Sequence, residues 1–408
     1  MAAGWGGAEQ VTQRWNVLIL LFVVRLSMAF QFQSVASMSP ALMKQYGVGL
    51  GDIGFLISLY LAPGLAFALP GGEIGRRFGD KRVVLFGLVL MIAGGLAMAF
   101  APAWGWQIAG RIVAGIGGVL LNVLMSKMVT DWFAGKEIAT AMAIFVNSWP
   151  AGIALCLFVL PALAAAQGIT SALLLTAAFC AIGLVLLATL YRPPAQMAPA
   201  ATVAPAAPSA PAALTSWPHP SVIRPVVAAG LMWGLFNAAI GMVFGFGITM
   251  LVERGWSLAA AGSATSLVLW LVSASVPIGG FLADRTGKPI AIMLAGFALF
   301  AIALLVANRT DAVIPAFVVL GLVGGLSAGP IMSLPARILT PPLRAVGMGI
   351  YFTLFYLFVV SAPIIAGLLS SRAGTAAVAF DFGAFMMALC FPAYWAFNRL
   401  AARATPAA

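Results

Sequence analysis

Twelve long apolar runs dominate the 408-residue sequence. They span approximately 15–39, 53–74, 83–102, 106–130, 139–163 and 169–191, then 222–249, 258–283, 289–307, 312–334, 345–369 and 376–399. Each is about as long as the roughly 20 residues a helix needs to cross a bilayer. The composition agrees: 63% of residues are hydrophobic and 8% charged, against about 25% charged in soluble domains. Too few charges exist to cover a soluble surface, so an ordinary cytosolic enzyme and a disordered scaffold are excluded. The expectation is an all-α membrane protein of 12 transmembrane helices. The first run is too long for a cleavable signal sequence, so none is expected.

The runs fall into two sets of six. Between them, residues 192–221 are rich in Pro and Ala and read as an extended cytoplasmic linker. The expected domains are therefore an N-terminal six-helix bundle (1–191), the linker, and a C-terminal six-helix bundle (222–408). The halves also repeat. PGGEIGRRFGDKRV after the second run corresponds to PIGGFLADRTGKP after the eighth, and GGVLLNVLMS in the fourth corresponds to GGLSAGPIMS in the tenth. Such pseudo-symmetric halves point to a transporter, with its substrate held between the halves near the midplane.

The net charge of +11 raises the question of nucleic acid, but position answers it. With both termini in the cytoplasm, 15 of the 21 basic residues face inward and 4 outward. The positive-inside rule thus assigns most of the excess to topology in a bacterial inner membrane, not to nucleic-acid binding. Two arginines remain inside the membrane, Arg25 and Arg111.

Arg25 lies near the centre of the first run. A central arginine costs at least ~2.5 kcal/mol to insert and must face a cavity or a partner. The apolar runs offer no mid-membrane carboxylate to pair with it; Arg372 is the expected partner of Asp381 in the last run. An unpaired guanidinium, planar and persistently charged, suits a transient carboxylate or oxyanion. The alternative is a structural Arg25 bonded to carbonyls, glutamines or water. Arg111, Gly115, Gly118, Asn122 and Ser126 share one helical face, which reads equally as a cavity lining or a close helix seam. Gln33 lies nearest the Arg25 face by rotation among the polar residues that follow it. Trp233 with Asn237, and Thr353 with Tyr356, are helical-face pairs. These eight (Arg25, Gln33, Arg111, Asn122, Trp233, Asn237, Thr353, Tyr356) are the candidate substrate residues.

Gly280, Asp284, Arg285, Gly287 and Lys288 match G-x-x-x-D-R-x-G-R/K, and Arg111, Gly115, Gly117 and Gly118 match R-x-x-x-G-x-G-G. With Trp132, Phe133, Glu137 and Ala139 entering the fifth run, these motifs resemble the major facilitator superfamily over nearly the whole chain. The resemblance implies two six-helix bundles rocking about a central site bordered by the first, fourth, seventh and tenth or eleventh helices. It also implies gating loops at Gly280–Lys288 and in the first half. There the pattern is reversed: Arg76 stands where an acid is usual and Asp80 where a base is usual, and the two could pair four residues apart. GRRFGDKRV and Arg344–Pro363 are most similar to cyanate-transporter-type members, with nitrate/nitrite porters nearby. The glycine-spaced helix-five motif of drug exporters is absent from NSWPAGIALCLFVLP.

The expected function is secondary or facilitated transport of a small anion, cyanate-like, nitrate-like or a small carboxylate, with Arg25 at its centre. A neutral or amphipathic substrate, and a non-transporting receptor of the same fold, are the alternatives. No nucleophile–base pair, phosphate loop or metal cluster is present, so an enzyme, a metal and a cofactor are not expected. The partners expected are the substrate and lipid, with the chain a monomer.

Overall fold

The computed structural model describes residues 5–133, 138–193, 219–339 and 344–404. Its elements are α1 (Trp5–Ser37), α2 (Ser39–Tyr46), α3 (Leu50–Leu59), α4 (Gly64–Phe78), α5 (Asp80–Ala99), α6 (Trp104–Phe133), α7 (Ile138–Leu190), α8 (Pro220–Glu253), α9 (Leu258–Thr286), α10 (Pro289–Arg309), α11 (Val313–Gly324), α12 (Ala328–Ser333), α13 (Arg344–Ala373) and α14 (Val378–Ala404). Among the described residues there is no strand. Among the same residues, eleven helices are long and apolar enough to cross a membrane. One of them holds two spans, because α7 breaks at Gly168, whose φ of 86° is favourable only for glycine. The count of twelve spans follows.

Four spans depart from the pattern of one uninterrupted helix each, for local reasons. The second divides into α3 and α4 around residues 60–63, where Pro63 supplies no N–H to the ladder. The fifth and sixth form the two arms of α7, without the gap expected at 164–168. The tenth divides into α11 and α12 because the Ser275 hydroxyl enters its ladder. Gly325 N donates to Ser275 Oγ (2.9 Å), and Ser275 Oγ donates to Gly321 O (2.9 Å), replacing the direct backbone bond. The second half opens at Pro220, with the His219 side chain accepting from Ser221 N. Most of the expected linker, 194–218, lies outside the described residues.

We name the membrane faces by their loops. The odd face carries the turns after odd-numbered spans, such as Gly168 and Gly255. The even face carries Gly79, Gly287, the start of α1 and the end of α14. Each half packs its first span across its later ones: α1 lies on α7, and α8 on α13 and α14. The halves meet along two symmetry-related seams, α3 with α13 and α7 with α9, and along α1 with α8.

Close approach at the seams depends on small residues. A Cβ on Gly54 would lie 2.2 Å from Pro363 O, one on Gly367 2.6 Å from Leu50 O, and one on Gly262 2.5 Å from Leu157 O. Among the described residues, hydrogen bonds also join the halves between the odd face and the midplane: Gln33 Nε2 to Phe244 O (2.6 Å), Ser39 with Thr249 (2.6 Å), Gly51 N to Ser371 Oγ (2.8 Å), Ser266 Oγ to Ala154 O (2.7 Å) and Ser273 Oγ to Asn147 Oδ1 (2.5 Å). Nearer the even face, Thr353 and Phe352 on α13 and Ile144 on α7 are exposed. Among the described residues, the bonds that seal the halves together therefore lie on the odd side.

Gly54→Ala is predicted to push this seal open while leaving the halves folded. Thr249→Cys, buried in the seal, should gain maleimide reactivity several-fold in that background, with Cys156, Cys180 and Cys390 replaced. Unchanged labelling would contradict the seam.

Candidate functional site

Arg25 sits at the midpoint of the apolar span Gln13–Ser37 of α1 and is 8% exposed. Its Nε donates to Asn122 Oδ1 (3.1 Å) on α6. Its Nη1 lies 3.1 Å from each of Phe145 O, Val146 O and Ser148 Oγ on α7. One of these acceptors follows directly from sequence. Pro150 has no N–H to give the carbonyl four residues back, which is Val146 O. Arg25 fills that vacancy, so the proline kink and the arginine satisfy each other. The guanidinium also lies over the rings of Phe145 (4.8 Å) and Trp149 (5.9 Å), a contact worth up to about 2 kcal/mol when desolvated.

This leaves Nη2. It takes no acceptor among the described residues, and it is not one of the sealed, unpaired polar atoms. None of the named hydrogen-bond acceptors of Arg25 is a carboxylate. From the other half, Tyr356 of α13 comes within side-chain hydrogen-bonding reach of Asn122 and within electrostatic reach of Arg25. Its ring packs on Gly64, where a Cβ would lie 2.8 Å away. Arg25, Asn122 and Tyr356 thus meet at the junction of the two bundles.

Above this junction, towards the odd face, lies an aromatic layer. Phe32 contacts Trp149 (5.1 Å), Tyr60 (5.6 Å) and Phe244 (6.4 Å). Gln33 belongs to this roof and not to the site beneath it. It is eight residues from Arg25, about 12 Å along the helix, and its amide is committed to Phe244 O.

Arg111 is also a correction. It is fully buried, and all three nitrogens donate to backbone: Nε to Leu56 O (3.1 Å), Nη1 to Gln31 O (3.1 Å) and Nη2 to Phe32 O (2.5 Å). It clamps α1 and α3 to α6, and at 0% exposure it presents no nitrogen to a solute. Below it, Gly115 and Gly118 receive Tyr60, backbone and ring respectively. The polar stripe on α6 is therefore a seam at Arg111–Gly118 and a lining at Asn122.

The remaining candidates divide. Trp233 stacks with Phe236 (5.7 Å) and Tyr351 (6.3 Å) inside the second half, and Asn237 Nδ2 returns to Trp233 O (2.8 Å). Neither is joined to Arg25 by a named contact. Thr353 lies on α13 three residues before Tyr356 and is exposed. Gly280, Arg285, Gly287 and Lys288 form the end of α9, capped by Gly287 in the left-handed region (φ 64°), and the start of α10. Asp80 pairs with Lys127 (2.5 Å) on α6, and Asp381 with Arg309 (2.8 Å) instead of Arg372. The side chains of Arg76 and Asp284 lie outside the described residues. Asn147, Ser148, Trp149 and Pro150 are site residues that the sequence reading passed over. Their signal was a polar pair beside a proline inside an apolar run.

Arg111→Lys is predicted to lower stability by several kcal/mol, since one ammonium cannot replace a fork bonded to two helices at about 1.5–3 kcal/mol per charged hydrogen bond. Thermal unfolding checks this; a wild-type melting temperature would contradict the clamp.

The Major Facilitator Superfamily model matches residues 21–254 and 227–408 of the chain. Among curated relatives, an uncharacterised MFS-type transporter of Mycobacterium tuberculosis is 29% identical over 31% of this chain and 21% of its own length. A methyl viologen resistance protein of Salmonella typhimurium is 27% identical over 27% and 22%. The human choline/ethanolamine transporter FLVCR2 is 24% identical over 37% and 29%. The chain thus spans less than a third of the length of these relatives. Among solved structures, a bacterial homologue of the human lysosomal transporter Spinster, inward-facing and unoccupied, superposes with TM-score 0.75 at 14% identity, covering 97% of this chain and 99% of that one. A D-xylose–proton symporter gives 0.76 at 15%, covering 94% and 97%. At these identities the structures establish the fold.

Proposed function

Because the chain belongs to the Major Facilitator Superfamily, whose members carry solutes across membranes, we propose that it transports a small organic anion by alternating access. The observation that carries the reading is Arg25 Nη2, uncommitted at the junction of the bundles with Asn122 and Tyr356 beside it. A guanidinium whose Nε and Nη1 are already anchored is pre-organised, so a bound anion need not order it. The aromatic layer of Phe32, Trp149 and Phe244 directly above favours a carboxylate with a small apolar body over a bare oxyanion such as cyanate or nitrate.

In this reading the even face is cytoplasmic and the sealed odd face is the outer gate. Gln33, Ser39 and Gly51 then serve as gate residues that must part for the outward-facing state. The exposed flanks of α7 and α13 border the inward path. Arg25 presents the anion to either side as α13, carrying Tyr356, moves against α4 and α6. The four acceptors on α6 and α7 keep the arginine with its own bundle during that motion.

A second reading rests on the relatives named for resistance to methyl viologen and for choline transport. Under it the substrate is a neutral or cationic amphipathic compound and Arg25 only braces the Pro150 kink.

Substitutions separate the two. Asn122→Asp sets a carboxylate against Arg25 Nε, preserving the brace while neutralising the site. Liposome uptake of small carboxylates should fall on the order of 30-fold or more with stability retained, and Arg25→Gln should lose uptake similarly. Arg25→Lys should retain part of it. Full carboxylate uptake by Asn122→Asp would contradict the anion site, and no carboxylate uptake by the wild type together with uptake of choline or methyl viologen would favour the second reading.

A further inference from the structure

A cleft of about 560 Å³ opens on the side of the first bundle, between α4 and α5, with α6 as its floor. Phe67, Ile74 and Phe78 of α4, Phe86 of α5, and Ile116 and Leu120 of α6 line it. Arg77 and Arg82 stand in the same cleft at the even-face end. We propose that this cleft binds an anionic phospholipid, one acyl chain in the groove and the phosphate on the two guanidinium groups.

The dimensions fit such an occupant. Phe67 and Phe78 are eleven residues apart on one helix, about 16 Å, and one leaflet of hydrocarbon is about 15 Å deep. The groove runs from the face of the membrane to mid-depth, and its two charges sit at the headgroup end. Its walls are open to the bilayer: Phe78 is 58% and Phe86 56% exposed.

The charges at the rim are sorted by their partners. Lys81, between the two arginines in sequence, is spent on Ala188 O (2.9 Å) and Tyr191 O (2.8 Å). Asp80 pairs through Oδ2 with Lys127. Arg77 and Arg82 are both exposed, and the contact named for Arg77 is the ring of Phe78 at 5.6 Å. Two guanidinium groups over an apolar groove match a phosphodiester carrying a net negative charge, because their planar forks accept phosphate oxygens in pairs. A zwitterionic headgroup would add a cation to a site that already holds two. The proposal is independent of what the central site carries.

Native mass spectrometry of the delipidated full chain, titrated with palmitoyl-oleoyl phosphatidylglycerol or phosphatidylcholine, tests it. Each arginine is expected to contribute about fivefold at low salt, so wild type should prefer phosphatidylglycerol by about thirtyfold. Arg77→Gln with Arg82→Gln should abolish that preference while leaving the lipid-free melting temperature unchanged, both residues being exposed. Arg77→Lys with Arg82→Lys should keep part of it. Dihexanoyl phosphatidylglycerol, with the same headgroup and chains too short for the groove, should bind at least tenfold more weakly. Equal binding of the two long-chain lipids, a preference that survives in the Gln variant, or full binding of the short-chain lipid would each overturn the proposal.

Discussion

The contact between Arg25 and the kink at Pro150 holds the centre of this molecule together. Either residue alone is a liability inside a membrane. The proline strands the Val146 carbonyl in a region without water, and the arginine brings a charge that must be solvated. Together they cancel much of each other's cost, since the carbonyl freed by one is an acceptor for the other at 3.1 Å. Asn122, Ser148 and the Phe145 ring complete the solvation. The result is a guanidinium fixed in its own bundle with one nitrogen still available at the face of the other.

Around that centre the two bundles use different bonding for different tasks. Within a half, the fixed contacts are charged and deep, as when Arg111 ties two helices through their carbonyls. Between halves, they are neutral and small. Glycines let Gly54 approach Pro363 and Gly367 approach Leu50, and single hydroxyl or amide bonds such as Ser39 with Thr249 close the odd side. Neutral hydrogen bonds of about 1 kcal/mol each can be exchanged; a buried guanidinium bonded three times cannot be released so cheaply. Such a division of bonding suits the proposed alternating access, in which one bundle moves against the other.

Much of this could be read from the sequence. Run length showed the spans, and the Pro/Ala stretch and repeated motifs showed the two halves. The rarity of mid-membrane charge singled out Arg25, and the rotation of α6 placed Asn122 on the face that meets it. The errors have physical causes. Gln33 was placed near Arg25 by rotation alone, while the rise of the helix carries it into the roof. Arg111 and Arg25 are alike in sequence, and only the number of carbonyls within reach distinguishes a clamp from a site. The partner of Asp381 lies on a neighbouring helix, Arg309, beyond any local spacing rule. Pro150 was legible as a kink, but its freed carbonyl gains meaning only when α1 is laid against α7.

The claim that matters most is that the central site recognises a negative charge. Thermal unfolding of the wild-type chain with matched pairs of small carboxylates and their neutral primary amides measures that directly. A ligand at a hundred times its Kd stabilises by about 2.7 kcal/mol. At least one carboxylate should therefore raise the melting temperature by several degrees, while its amide leaves it unmoved. Equal stabilisation by acid and amide, or by the amide alone, would contradict the assignment of Arg25 as an anion site.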